Sequence, residues 1–346
     1  MDIAFILLIV TIGVVVAFDF TNGFHDSADM IATCIASRAM KPGMAILLVT
    51  SFTFLGPFVG GLAVADTVGQ FVRISGQPPL FAESIVLAAV LAAVCYNLLT
   101  WKLGLPTSSS NSLVGGLVGS GLYAMGTGSV NWGFSALLQG QLTGVVKIII
   151  GLFFSPLVGF IGGFFLMSLF MRFFRRLSFK SRKLFIFSQY FTTAWLGFTH
   201  GTNDAQKGMG IIGMLLLSGG HYQVFTIPDW AILLCASSIT LGTLFGGWSI
   251  IKTMGFGLYK IRTIHSVADQ IGSALVISAA TAIGAPASTT QVVTSTLLGV
   301  GAREKPRHVH WATALSIIKG WLFNLPISAL IGALFTMIFM HLWGTP

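Results

Sequence analysis

Charge is what this sequence has least of. Only 8% of its residues are Asp, Glu, Lys or Arg, against about a quarter in a soluble domain. A chain so poor in charge cannot dress a water-facing surface. Long polar segments are missing too: the longest is "RFFRRLSFKSRK" at 172–183, which leaves no room for a soluble domain. The start carries Asp2 and no cation, so no secretory signal peptide with a basic leading region is expected. Cysteine is scarce, and Cys34, Cys95 and Cys235 all lie in apolar segments. They read as small hydrophobes rather than disulfide partners or metal ligands.

What is abundant is apolar length. Hydrophobic residues make up 54% of the chain, in runs at 44–65, 84–99, 143–171, 184–198, 230–251, 267–285 and 311–343. Several exceed the roughly 20 residues that cross a bilayer as a helix. The sequence predicts an all-α polytopic membrane protein. Its net charge of +9 does not point to nucleic acid, because fourteen of the nineteen Lys and Arg fall in four short groups. These are Arg38 and Lys41, six between Arg172 and Lys183, then Lys252, Lys260 and Arg262, and finally Arg303, Lys305 and Arg307. Basic clusters beside membrane spans mark cytoplasmic loops.

The two halves repeat each other. "NGFHDSADMI" at 22–31 aligns with "HGTNDAQKGM" at 200–209, and "PTSSSNSLVGGLVGSG" at 106–121 with "PASTTQVVTSTLLGVG" at 286–301. Two blocks at nearly one offset indicate an internal duplication. Loop charge then swaps sides between equivalent turns. Arg38 and Lys41 face the uncharged "LSGGHYQ" (217–223), and "LYAMGTGSVN" (122–131) faces "GAREKPRH" (301–308). The reading is two transmembrane repeats of inverted topology, 1–171 and 184–346, joined by the basic 172–183 linker. Both termini are expected outside a cell membrane and the linker in the cytoplasm.

The repeated blocks carry the chemistry. Each second block starts with a proline (Pro106, Pro286) and is preceded by a glycine (Gly104, Gly284). Proline suits a first helical turn and stops a helix arriving from upstream. Each block is therefore read as a re-entrant helical hairpin with polar residues at the N-terminus of its second helix. Those residues are Thr107, Ser108, Ser109, Ser110 and Asn111 in one half, and Ser288, Thr289, Thr290 and Gln291 in the other. Unpaired N–H groups and hydroxyls there suit an oxyanion. The competing reading is that the hydroxyls only cap or pack helices.

The first blocks supply the opposite sign. Asp26 and Asp204, with Asn22 and Asn203 nearby, are oxygen donors in helices that Gly23 and Gly201 are expected to interrupt. Carboxylates at membrane depth are costly and mark function. Beside an anion they make sense as the site of a coupling cation, Na⁺ or a proton. His25, Asp29, His200 and Lys207 are accessory candidates; Lys207 aligns with Asp29 and either balances a carboxylate, faces the anion or snorkels. Asp19 and Asp66 are expected near interfaces, and Asp269 inside the bundle without an assigned role.

With these blocks, the sequence resembles the inorganic phosphate transporter (PiT) family, nearest its bacterial low-affinity branch. "NGFHDSADMIAT", "GLPTSSSNSLVGG", "FTHGTNDAQKGMG" and "GAPASTTQVVTST" are similar to that family's four signatures. The likeness covers almost the whole chain. It implies a symporter of phosphate with Na⁺ or H⁺, in some members of a metal–phosphate complex. This chain departs from the pattern at three places. Asp29 stands where the family usually has Asn, and Asn111 and Gln291 stand where it usually has His. Losing both imidazoles leans towards Na⁺ coupling and leaves another oxyanion such as sulfate open. No cofactor is implied. The remaining alternatives are an anion channel and an intramembrane phosphotransferase. The duplication argues against an enzyme, since catalysis needs one asymmetric site.

Overall fold

A computed structural model describes residues 3–74, 76–174 and 182–343. Most of the expected linker, 175–181, lies outside the described residues. In the first half α1 spans Ile3–Ala36, α2 Pro42–Val59, α3 Ala63–Gly69, α4 Pro79–Lys102, α5 Ser109–Met125, α6 Phe134–Leu138 and α7 Gly144–Phe173. In the second, α8 spans Arg182–Ser218, α9 Asp229–Phe245, α10 Trp248–Phe256, α11 Thr263–Ala282, α12 Thr289–Glu304 and α13 Trp311–Trp343. The described residues form no β-strand, only an isolated bridge between Val72 and Val130.

Helices α1, α2, α4, α7 and α13 are each long and apolar enough to cross a bilayer. Their outer faces carry exposed Leu, Ile and Phe side chains of the kind lipid requires, among them Phe58, Phe165, Leu330 and Leu342. α8 is longer still at 37 residues, but His200, Asn203, Asp204, Gln206 and Lys207 interrupt its apolar run. All five are buried in protein.

Packing repeats when the halves are exchanged. α5 lies on α13 and its counterpart α12 on α7; α2 lies on α8 and α9 on α1. Within halves, α4 packs on α1 and α11 on α8. The most extensive contacts therefore include crossings between halves, and neither half closes its core alone.

Glycine sets those crossings. α1 and α8 run unbroken through Gly23 and Gly201, so the expected interruption does not occur. A mid-helix glycine costs only about 1 kcal/mol relative to alanine, too little to break a packed helix. Its role here is close approach. A β-carbon on Gly23 would lie 2.0 Å from the Ile239 carbonyl of α9, and one on Gly201 2.0 Å from the Thr53 carbonyl of α2. The two equivalent glycines seat the two equivalent crossings.

The hairpins form as α4–α5 and α11–α12. Gly104 (φ 66°) and Gly284 (φ 68°) make their reversals in the left-handed region, which glycine enters without penalty. Pro106 and Pro286 lie in the connection rather than in the first turn, because Ser108 and Ser288 are the N-caps. Each cap serine accepts from a backbone amide three residues on, Asn111 and Gln291 respectively. The base of the second hairpin is pinned by Glu304, which takes hydrogen bonds from Tyr259 and Arg262 and lies 2.7 Å from His265 Nε2.

Candidate functional site

The tips of both hairpins meet against the middle of α1 and α8. Ser110 Oγ of the first tip donates to the Ala287 carbonyl of the second at 3.2 Å. Ser109 Oγ donates to Asn22 Oδ1 on α1 at 2.6 Å. From the second tip, Thr290 Oγ1 lies 2.8 Å from Asp26 Oδ1 and 2.6 Å from Asp29 Oδ2. Thr289 Oγ1 donates to Asp204 Oδ2 on α8 at 3.2 Å. Segments at the two ends of the sequence thus build one polar cluster, and every member is buried.

The run of hydroxyls divides by role. Ser108 and Ser288 cap their helices, as the competing reading of these runs held for all of them. Thr107 turns back to Thr100 Oγ1 at 2.9 Å, away from the acids. Ser109, Ser110, Thr289 and Thr290 face α1 and α8. With the cap hydroxyls engaged at Asn111 and Gln291, the amides of residues 109–110 and 289–290 have no intrahelical acceptor. Two helix N-termini, of 17- and 16-residue helices, therefore point donors into the cluster. That is the arrangement an oxyanion needs.

Acids and imidazoles line the facing wall. His25, Asp26 and Asp29 each offer a ligand atom, all within 4.8 Å of one another, and so do Asp26, His200 and Asp204. His25 Nδ1 lies 3.3 Å from Asp26 Oδ1, and His200 Nδ1 3.0 Å from Asp204 Oδ2. Asp26 belongs to both groups and links the halves. Asn203 does other work. Its Oδ1 accepts from the Ala287 amide and its Nδ2 donates to Thr281, so it holds the second hairpin tip in place.

Among the described residues, Lys207 is the one lysine or arginine buried in this cluster. Its ammonium donates to Asp204 Oδ1, to Ser110 Oγ and to the Ala287 carbonyl. It touches both hairpin tips at once and does not snorkel. Several buried polar atoms of the cluster make no hydrogen bond: Asn22 Nδ2, His25 Nε2, Asp29 Oδ1, both Asn111 amide atoms, His200 Nε2 and Gln291 Oε1. Both donors and acceptors are left over. A set of this kind fits an anion together with a cation.

Two expectations about other acids part ways. Asp66, on α3, is exposed. Asp19 is not interfacial but wholly buried on α1, against Gly208, where a β-carbon would lie 2.2 Å from its Oδ2. One turn of α1 separates it from Asn22, and its side chain is directed into the protein. Asp269 is buried as expected, with Ser273 Oγ 3.5 Å away.

The positioning residues carry only a weak signal in the sequence. Trp321 Nε1 and Asn324 Nδ2 of α13 hold the carbonyls of Pro106 and Ser108. Gln206 Oε1 accepts from the first amides of α3, Val64 and Ala65. A lone polar residue in an apolar helix, such as Asn324, was the available hint.

Long helices with apolar outer faces around a buried cluster of acids, hydroxyls and helix N-termini have the build of a multi-pass membrane protein. The chain belongs to the phosphate transporter family, whose model matches residues 22–332. It is 39% identical to a probable low-affinity inorganic phosphate transporter of Bacillus subtilis (strain 168), over 96% of this chain and 97% of that one. The corresponding protein of Rhizobium meliloti (strain 1021) is 37% identical, over 96% of both chains. In solved structures, a sodium-dependent phosphate transporter shares the fold, with a TM-score of 0.82 and 22% identity over 96% of this chain and 98% of that one.

Proposed function

We propose that this chain imports inorganic phosphate by symport with a cation, Na⁺ in preference to H⁺, through alternating access of two inverted repeats. The anion is held by the amides and hydroxyls at the N-termini of α5 and α12, namely Ser109, Ser110, Thr289 and Thr290. Asn111 and Gln291 supply the further uncommitted amide groups. The cation is taken by the acid wall, with Asp26 at its centre.

The observation that carries this reading is the position of Thr290. Its single hydroxyl proton can serve only one of Asp26 and Asp29, yet both oxygens lie within 2.8 Å. Two buried carboxylates against one hydroxyl require a proton or a metal cation between them, since like charges in low dielectric repel strongly. Carboxylate and hydroxyl oxygens are donors that a hard cation prefers. Bringing the cation also lets a phosphate anion approach the same pocket. Each ion is then poorly bound without the other, which is the condition for coupling.

The family and the names of the relatives support phosphate as the anion. Loop charges support termini outside and the 172–183 segment inside. The test is uptake of ³²P-phosphate into proteoliposomes holding the purified chain, with an imposed Na⁺ or proton gradient. Accumulation driven by either gradient is the expected result, and larger with Na⁺. Passive equilibration alone would instead mean a channel, and no flux would overturn the reading.

A further inference from the structure

Lys207 occupies a position that the duplication gives to Asp29 in the other half. Its ammonium is surrounded by three kinds of oxygen: the Asp204 carboxylate, the Ser110 hydroxyl and the Ala287 backbone carbonyl. Carboxylate, hydroxyl and carbonyl together are the donor set a Na⁺ ion would take. On the other side of the cluster Asp26, Asp29 and Thr290 form a comparable oxygen set, and among the described residues no lysine or arginine bonds to it.

We infer that Lys207 is a tethered cation, filling permanently the place of one coupling ion, so that the mobile ion is taken only on the Asp26–Asp29 side. This rests on the cation-coupled reading above. The physical reason is charge balance in a dry cavity. Asp26, Asp29 and Asp204 bring three formal negative charges to one buried cluster, and the transported anion adds more. A fixed ammonium offsets one of them in every cycle without having to be recruited from solution. It also spans both hairpin tips, so it stays with the site while the transported ions come and go. The two halves of the duplication are thereby made unequal: one keeps its cation, the other exchanges it.

The consequence is a count. Neutralising Lys207 leaves the buried Asp204 without its ammonium, facing only the Thr289 hydroxyl and the His200 imidazole, and such a carboxylate recruits a replacement cation. In Lys207→Gln, each phosphate should therefore carry one more positive charge than in the parent, whether Na⁺ or a proton. The reversal potential of phosphate flux in proteoliposomes reads that number directly. A second variant keeps the test decisive if Lys207→Gln is inactive. Asp204→Asn strands the ammonium and should lose cation-driven uptake, whereas Asp204→Asn with Lys207→Gln removes both charges and should recover it with the parental count. The inference is overturned if Lys207→Gln transports with the parental count. It is equally overturned if Lys207→Gln is inactive and the double variant, monodisperse in detergent, stays as inactive as Asp204→Asn. A parent whose uptake ignores both gradients is a different result: it would sink the symport reading itself.

Discussion

Thr290 Oγ1 and Asp26 Oδ1 lie 2.8 Å apart although 264 residues separate them in the chain. This contact joins the second hairpin to the first helix and puts an oxyanion-type helix terminus beside a carboxylate. Any movement of the second hairpin relative to that helix must break or remake it. In the proposed symport, this contact would tie the binding of the two ions to the conformation of the protein.

Replacing Asp26 by Asn should abolish Na⁺-driven phosphate uptake while leaving the protein inserted and monodisperse. The substitution keeps shape and one oxygen but removes the charge shared by both acid groups. Losing several kcal/mol of attraction in low dielectric corresponds to roughly 100-fold or more in apparent Na⁺ affinity. The measurement is initial uptake rate against Na⁺ concentration. Uptake at the parental rate and Na⁺ dependence would make Asp26 structural.

Thr290→Val tests the hydroxyl without changing side-chain shape. A hydrogen bond to a charged group contributes about 1.5–3 kcal/mol, so the Na⁺ concentration for half-maximal uptake should rise about 10-fold or more. Thr107→Val, whose hydroxyl bonds only within the first hairpin, should leave that value unchanged. Equal effects in both would remove Thr290 from the cation site.

Gly201→Ala should impair packing rather than ion binding. Its β-carbon would meet the Thr53 carbonyl at 2.0 Å, and the helices can relieve that overlap only by separating. Overpacking costs about 1–3 kcal/mol, expected as a lower melting temperature and a smaller monodisperse yield in detergent. Gly13→Ala, with nothing within 4 Å, is the control and should match the parent. A Gly201→Ala protein as stable as the parent would show that the crossing has room to spare.

The orientation can be read with single cysteines in a chain freed of Cys34, Cys95 and Cys235. His221 and Lys305 are both exposed and lie in the turns whose charges differ between the halves. In intact cells an impermeant thiol reagent should label His221→Cys and spare Lys305→Cys. The opposite pattern would reverse the topology proposed from loop charge.

The sequence alone was enough for the elements whose causes are local. Glycine and proline ahead of the hydroxyl runs announced the reversals, and Ser108 and Ser288 cap the following helices because a short side chain can reach its own backbone. Composition was enough for the membrane, because apolar length and scarce charge leave no other solvent. The alignment of the two halves was enough to pair Lys207 with Asp29. What remained undecided depended on which helices cross. Gly23 and Gly201 looked like breaks, but their close approach to Ile239 and Thr53 makes them crossing points, and no local pattern encodes a neighbour more than a hundred residues away. Asp19 reads as interfacial until Gly208 of α8 is packed against it. The partners of Lys207 were undetermined for the same reason: an ammonium on a flexible stem can reach lipid headgroups, a carboxylate or an anion. Only the meeting of two hairpin tips fixed its place.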